Sequence, residues 1–184
     1  MSNKKWLVVF GIGVLITTIT TFIILIRKKN INNKIIKNEY DVILMGGLDT
    51  RKGDKNIEEQ VNLLKKNTNK KNIIGFRYND ILGVKKILEK QPNIIVVLFS
   101  AGASYSSTIS KLMTYKNKLF IVEPYASSSN VKKSVKDALS MGVPNKNLIT
   151  GNSSSRGNGI IEQSTKTPKG LGHWEALEFV GNLI

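Results

Sequence analysis

The chain lacks several residue types and motifs that identify common classes of protein. It has no cysteine and one histidine in 184 residues, so it offers neither the thiolates nor the histidine cluster of a zinc site. Neither G-x-x-x-x-G-K-[ST] nor G-x-G-x-x-G occurs, which argues against a phosphate or nucleotide binder. We therefore expect no metal and no cofactor. Without cysteine, disulfides cannot indicate the compartment.

Arginine and aromatic residues are scarce, although the chain is strongly basic with a formal net charge of +15. After residue 27, arginine occurs only at Arg51, Arg77 and Arg156. A nucleic-acid-binding surface typically has a dense basic stripe, or aromatics interleaved with arginine. Here the charge comes mostly from lysines scattered through Lys- and Asn-rich segments. This pattern indicates a solvated surface and disfavours nucleic acid as a partner.

A long uncharged stretch lies near the N-terminus. Residues 6–26, WLVVFGIGVLITTITTFIILI, carry no charge, and about 20 apolar residues suffice for a helix to cross a bilayer. Trp6 and the cluster Arg27-Lys28-Lys29 are typical interface anchors at its two ends. A cleaved signal peptide is the alternative, but the run is too long and no small-x-small cleavage site follows. We predict a single transmembrane helix within an anchor over 1–27, followed by a basic polar linker over 28–39.

The positive charge around this stretch predicts its orientation. Lys4 and Lys5 precede it, whereas a larger group of basic residues follows it, beginning at Arg27. The positive-inside tendency then favours a cytoplasmic soluble domain. The cluster Arg27–Lys29 would attract anionic lipid headgroups.

Residues 40–184 alternate between short apolar runs and segments with helical spacing. Asn56 and Glu59 form a capping-box pattern at the start of one such segment, and Gly142 ends another. The alternation predicts a doubly wound, mostly parallel α/β sheet of five or six strands in a single domain. Five strands are predicted from the runs DVILMGG (41–47), NIIGFRY (72–78), NIIVVLFS (93–100), KLFIVEP (118–124) and NLITG (147–151).

Polar residues follow several of these strands, and sites in open α/β sheets form at the carboxyl ends of strands. Ser100 follows the most apolar run of the domain, Glu123 follows the next strand, and His173 is the only histidine of the chain. A serine hydroxyl needs a base to become a nucleophile. Histidine can act as that base, and a carboxylate fixes its tautomer.

The order serine, acid, histidine resembles that of the α/β-hydrolase superfamily. The resemblance covers most of residues 41–184, and its best local match is GHWEALEFVGNLI, which is similar to the family's catalytic histidine leading into the final helix. It implies a small hydrolase-like domain over 40–184 without a cap insertion, acting on an ester, thioester, amide or lipid-like substrate. It implies Ser100 as nucleophile, with Ser104 in reserve, His173 as base, Glu123 as acid, and oxyanion or substrate contacts at Gly46, Gly47, Leu48 and Ala101.

The nucleophile motif G-x-S-x-G is imperfect. Centred on Ser100, it has Gly102 at the second flank but Leu98 at the first, where a bulky side chain should clash. Centring it on Ser104 gives small residues on both sides but lengthens the strand. A third register, centred on Gly102, leaves the turn without a nucleophile.

Structural roles compete with the catalytic ones. The family most often has an aspartate after the strand that corresponds to NLITG, but no acid occurs there, so Glu123 stands one strand earlier. Glu123 could instead be a surface carboxylate before a proline turn, and Asp137, inside a predicted helix, is a weaker acid candidate. His173 could cap a helix or pack against Trp174. The alternative function is a catalytically inactive α/β binding module tethered to a membrane.

Overall fold

The computed structural model describes residues 39–48, 55–125, 127–151 and 164–184. Tyr40–Ile184 form one compact unit. The predicted anchor over 1–27, and the linker apart from its last residue, lie outside the described residues. In the described part of the chain, no helix is long and apolar enough to span a bilayer.

The described residues contain one sheet of six parallel strands in the order β2-β1-β3-β4-β5-β6. This confirms the predicted α/β class and the parallel sheet. The number of strands agrees with the predicted five or six, but the sixth was not located in the sequence, because its two residues are polar and too short to show a period. The strands are β1 (Val42–Met45), β2 (Ile73–Phe76), β3 (Ile95–Phe99), β4 (Leu119–Val122), β5 (Leu148–Thr150) and β6 (Thr165–Lys166).

The helices form two groups, with α1 against α5, and α3 against α2 and α4. The predicted capping box of α1 is confirmed, because the Asn56 side chain accepts from the Glu59 amide at 2.9 Å and the Glu59 carboxylate accepts from the Asn56 amide at 3.1 Å. The helices are α1 (Ile57–Lys65), α2 (Ile81–Leu88), α3 (Ser106–Leu112), α4 (Ser129–Ser140) and α5 (His173–Gly181).

The sheet is buried on both faces, which explains its uninterrupted apolar runs. Val42 and Val97 belong to the cluster that contacts α1 and α5. Their neighbours Ile43 and Leu98 are equally buried but point to the opposite face, because side chains alternate along a strand. Both groups of helices therefore cover the sheet, as expected for a doubly wound fold.

The central strand β3 does not run directly into an α-helix. Ser100–Tyr105 form a 3₁₀ helix, and α3 begins only at Ser106. The Ser104 hydroxyl donates to the Ala101 carbonyl at 2.8 Å, and the Ser106 hydroxyl donates to the Ala103 carbonyl at 2.7 Å. Short side chains that bond to the preceding turn compete with regular helical bonds. This serine-rich sequence accordingly makes a tight turn at the carboxyl edge of the sheet.

Candidate active site

Ser100 has a backbone conformation that side chains rarely adopt. Its φ is +53°, in the left-handed region, and only 5% of the residue is exposed. A non-glycine residue in this region costs on the order of 1–3 kcal/mol and persists only where the surrounding structure holds it. The turn predicted from the sequence is therefore sharp, and Ser100 is its strained residue.

The residues on either side of Ser100 show how the turn is accommodated. A Cβ at Gly102 would overlap the Met45 carbonyl oxygen and lie 2.9 Å from the Gly46 carbonyl oxygen, so only glycine fits. Leu98 is fully buried in β3, in register with Met45 of β1. Its side chain enters the core rather than the turn, and the expected clash does not arise. Both flanks are compatible with a motif centred on Ser100.

Ser104 lies one turn further along, within the 3₁₀ helix. Its hydroxyl donates to the Ala101 carbonyl within the same segment. Among the described non-glycine residues, positive φ occurs at Ser100 and Glu123 and not at Ser104. Ser104 therefore lacks the strained geometry that distinguishes Ser100.

Glu123 is fully buried at the end of β4, so it is not the surface carboxylate considered as an alternative. One carboxylate oxygen accepts from the Gly151 amide at the end of β5. The other lies 3.0 Å from Nδ1 of His173. The fold thus joins the predicted acid to the predicted base. Glu123 also has a left-handed backbone, with φ +49°.

His173 is the first residue of α5. It lies close to the sheet because Gly151 and Gly172 have no side chains to separate the two backbones. A Cβ at Gly151 would lie 2.5 Å from the Gly172 carbonyl oxygen, so the end of β5 and the start of α5 touch through their backbones. The His173 ring packs 4.7 Å from the Phe99 ring and 4.9 Å from the Trp174 ring, measured between centroids. The packing against the indole, proposed as an alternative role, is therefore present together with the Glu123 contact.

Ser100 directly follows Phe99, whose ring contacts His173, so both residues belong to the same end of the sheet. Among the described residues, no hydrogen bond joins the Ser100 hydroxyl to the His173 ring. Asp137, the weaker acid candidate, lies in α4, on the face of the sheet opposite α5.

The double glycine after β1 lies beside Ser100. A Cβ at Gly47 would be 2.9 Å from Cβ and 3.3 Å from Oγ of Ser100. However, the Gly46 amide donates to the Phe76 carbonyl and the Gly47 amide donates to the Gln60 side chain, both at 2.8 Å. These two amides are already engaged.

Among the described residues, the other two predicted oxyanion contacts, Leu48 and Ala101, have amides without a hydrogen-bond acceptor. The Leu48 amide has no acceptor within the described residues. The Ala101 amide lies at the start of the 3₁₀ helix, where N–H groups lack intrahelical acceptors. Sequence reasoning missed Gln60, although it shares the buried stripe of α1 with Leu63 and Leu64. A polar residue at a core-facing position was the available signal.

Other potential sites are separate from this cluster. Among the described residues there is no group of three or more His, Asp or Glu side chains that could hold a metal. Three of the cavities that the described residues form have volumes of about 390, 430 and 350 Å³. None is lined by Ser100, Glu123 or His173. Residues 49–54 and 152–163, which follow β1 and β5 along the chain, lie outside the described residues.

Comparisons with protein-family models, with curated proteins and with solved structures find no match to this chain. The candidate site consists of a strained serine, a buried carboxylate–histidine pair, and two backbone amides at the same edge of a parallel sheet.

Proposed function

We propose that the chain is a serine hydrolase of the α/β-hydrolase type, acting on the carbonyl of an ester, thioester or amide. The observation that carries this proposal is the 3.0 Å contact between the fully buried Glu123 carboxylate and Nδ1 of His173. Carboxylates are almost never fully buried unless they are paired. Here the partner is the only histidine of the chain, and its ring lies against Phe99, the residue that precedes Ser100.

Each group has a defined role in the proposed reaction. His173 takes the proton of the Ser100 hydroxyl on Nε2 while Oγ attacks the substrate carbonyl carbon. The Leu48 and Ala101 amides stabilise the negative oxygen of the tetrahedral intermediate. The intermediate collapses as His173 protonates the leaving group, which leaves an acyl group on Ser100. Water, activated by the same nitrogen, then hydrolyses the acyl group.

Glu123 supports this chemistry by holding the ring of His173. A carboxylate that accepts from Nδ1–H keeps the proton on that nitrogen and leaves Nε2 as the base. It also stabilises the imidazolium that forms during each step. The second contact of Glu123, with the Gly151 amide, fixes the carboxylate itself.

The proposal includes a membrane anchor, which is supported by the uncharged length of residues 6–26. In this view the chain is a single-pass membrane protein whose soluble domain faces the cytoplasm. Arg27–Lys29 contact anionic headgroups. The substrate is an ester, amide or lipid-like molecule.

A fluorophosphonate probe tests the hydrolase proposal on the full-length chain. We expect the wild-type protein to be labelled covalently and His173→Ala to lose labelling, because the base is removed. Glu175→Ala, an exposed change on the same helix turn, should keep the wild-type rate. Circular dichroism should show that all three proteins are folded. A folded wild-type protein that is not labelled would refute the proposal and favour the inactive binding module.

A further inference from the structure

Gln60 is a fully buried polar residue of α1. Its side-chain oxygen accepts from the Gly47 amide at 2.8 Å, and its side-chain nitrogen donates to the Lys55 carbonyl at 2.7 Å. Buried amide side chains are stable only when their polar atoms are paired. Both ends of this amide are paired with backbone, at the two sides of the segment that connects β1 to α1.

The contact with Gly47 fixes the backbone beside the nucleophile. Gly47 lies against Ser100, with room for no side chain. Gly46 is equally constrained, because a Cβ there would overlap the Gln60 side-chain oxygen. The Gly47 peptide is thus held between Gln60 and Ser100. The next amide along the chain, that of Leu48, follows directly from this fixed peptide.

We propose that Gln60 is a positioning residue for the oxyanion hole. By accepting from the Gly47 amide, Gln60 sets the path of the backbone, so that the Leu48 amide is directed toward the oxygen of a substrate bound at Ser100. This inference rests on the proposed hydrolase function. In this role Gln60 contacts neither the substrate nor the Ser100 hydroxyl, and it acts through the backbone at Gly47.

A purely structural role for Gln60 makes a different prediction. If the side chain only ties α1 to the sheet, its removal lowers stability and leaves the chemical step intact in the protein that remains folded. A positioning role slows the chemical step in the folded protein. Displacement of a catalytic donor by about 1 Å can cost on the order of 100-fold in rate.

The experiment measures the inactivation of full-length protein by a fluorophosphonate, whose phosphoryl oxygen occupies the same place as a substrate oxyanion. Gln60→Met removes both polar contacts. Gln60→Glu keeps both contacts when its carboxyl is protonated, the form that burial favours: one oxygen accepts from the Gly47 amide and the protonated oxygen donates to the Lys55 carbonyl. Gln91→Met is the matched control, because Gln91 accepts from the Tyr40 amide at 3.4 Å at the other edge of the sheet.

We expect Gln60→Met to lower the maximal inactivation rate on the order of 10- to 100-fold with little change in the inhibitor binding constant. Gln60→Glu should recover most of that rate, and Gln91→Met should match the wild type. Hydrogen–deuterium exchange of a peptide covering residues 42–48 should rise in Gln60→Met and not in Gln91→Met. This second measurement does not depend on activity.

Two failures can be told apart. A wild-type protein that reacts, together with a Gln60→Met variant that reacts equally fast, overturns the positioning role alone. Equal slowing by Gln60→Met and Gln60→Glu also overturns it, because the acceptor would then not matter. A folded wild-type protein that never reacts overturns the hydrolase function on which the inference rests.

Discussion

The contact between Glu123 and His173 can be tested by changing one atom of the carboxylate. Glu123→Gln preserves the shape of the side chain and the acceptor for the Gly151 amide. The new amide nitrogen would face Nδ1 of His173, 3.0 Å away in the wild-type structure. Two donors cannot face each other, so Nδ1 becomes the acceptor and the ring proton moves to Nε2. The nitrogen that should take the Ser100 proton is then blocked.

The size of the effect follows from this tautomer change. In Ser-His-Asp triads the equivalent carboxylate-to-amide change lowers turnover about 10⁴-fold. This corresponds to about 5 kcal/mol in activation free energy. We expect a loss of similar order in the rate of fluorophosphonate labelling of Glu123→Gln.

Stability should respond differently. Each hydrogen bond of Glu123 is replaced by one of similar geometry, and a buried charge is removed, which is often neutral or stabilising. The free energy of unfolding of Glu123→Gln should stay within about 1 kcal/mol of the wild type or rise. A large loss of rate without a loss of stability is the signature of a residue kept for function.

The assay combines labelling kinetics with urea unfolding of the same preparations. Glu175→Gln makes the same chemical change at an exposed position two residues after His173, and should alter neither quantity. The reasoning is refuted if Glu123→Gln is labelled at the wild-type rate. It is also refuted if the variant loses stability and labelling in parallel, because Glu123 would then be structural.

Three further predictions concern the nucleophile, the approach of α5, and the anchor. Ser100→Ala should abolish labelling, whereas Ser104→Ala should retain it, and mass spectrometry of the labelled peptide identifies the modified serine. Labelling that persists in Ser100→Ala but is lost in Ser104→Ala would make Ser104 the nucleophile. Gly151→Ala should lower the unfolding free energy by about 1–3 kcal/mol and slow labelling, because its Cβ would lie 2.5 Å from the Gly172 carbonyl oxygen; urea unfolding at wild-type values would contradict this. Full-length protein should stay with membranes after alkaline extraction, whereas a variant lacking residues 6–26 should be released; release of both would exclude the anchor.

Most of the fold could be predicted from hydrophobic patterning. The central strands are apolar without interruption because helices cover both faces of the sheet, and β1 and β3 are almost entirely buried. The strand β6 has two residues, Thr165–Lys166, and its place in the sheet depends on pairing with β5 rather than on its own composition. Tertiary pairing of this kind leaves no periodic signal in a sequence.

The residues of the candidate site could be predicted from the sequence, but their burial and their contacts with one another could not. The order of Ser100, Glu123 and His173 along the chain follows from the sequence, and strand ends of a parallel sheet meet at one edge. The sequence does not show whether Glu123 is buried. Its burial depends on the close approach of α5 to the sheet, which is possible because Gly151 has no side chain. Nor could the sequence show that the Gly47 amide is engaged by Gln60, since that contact joins two elements 13 positions apart.

Backbone strain is concentrated at two residues that have a role in the proposed mechanism. Ser100 and Glu123 are the two described non-glycine residues with positive φ, and each directly follows one of the neighbouring strands β3 and β4. Together they cost on the order of 2–6 kcal/mol, a large share of a typical unfolding free energy of about 5–15 kcal/mol. A histidine that only caps a helix or packs on an indole gives no reason for two strained neighbours. The proposed hydrolase mechanism gives one, because Ser100 would supply the hydroxyl and Glu123 the carboxylate to the same histidine, and the strained turns would place both side chains at one edge of the sheet.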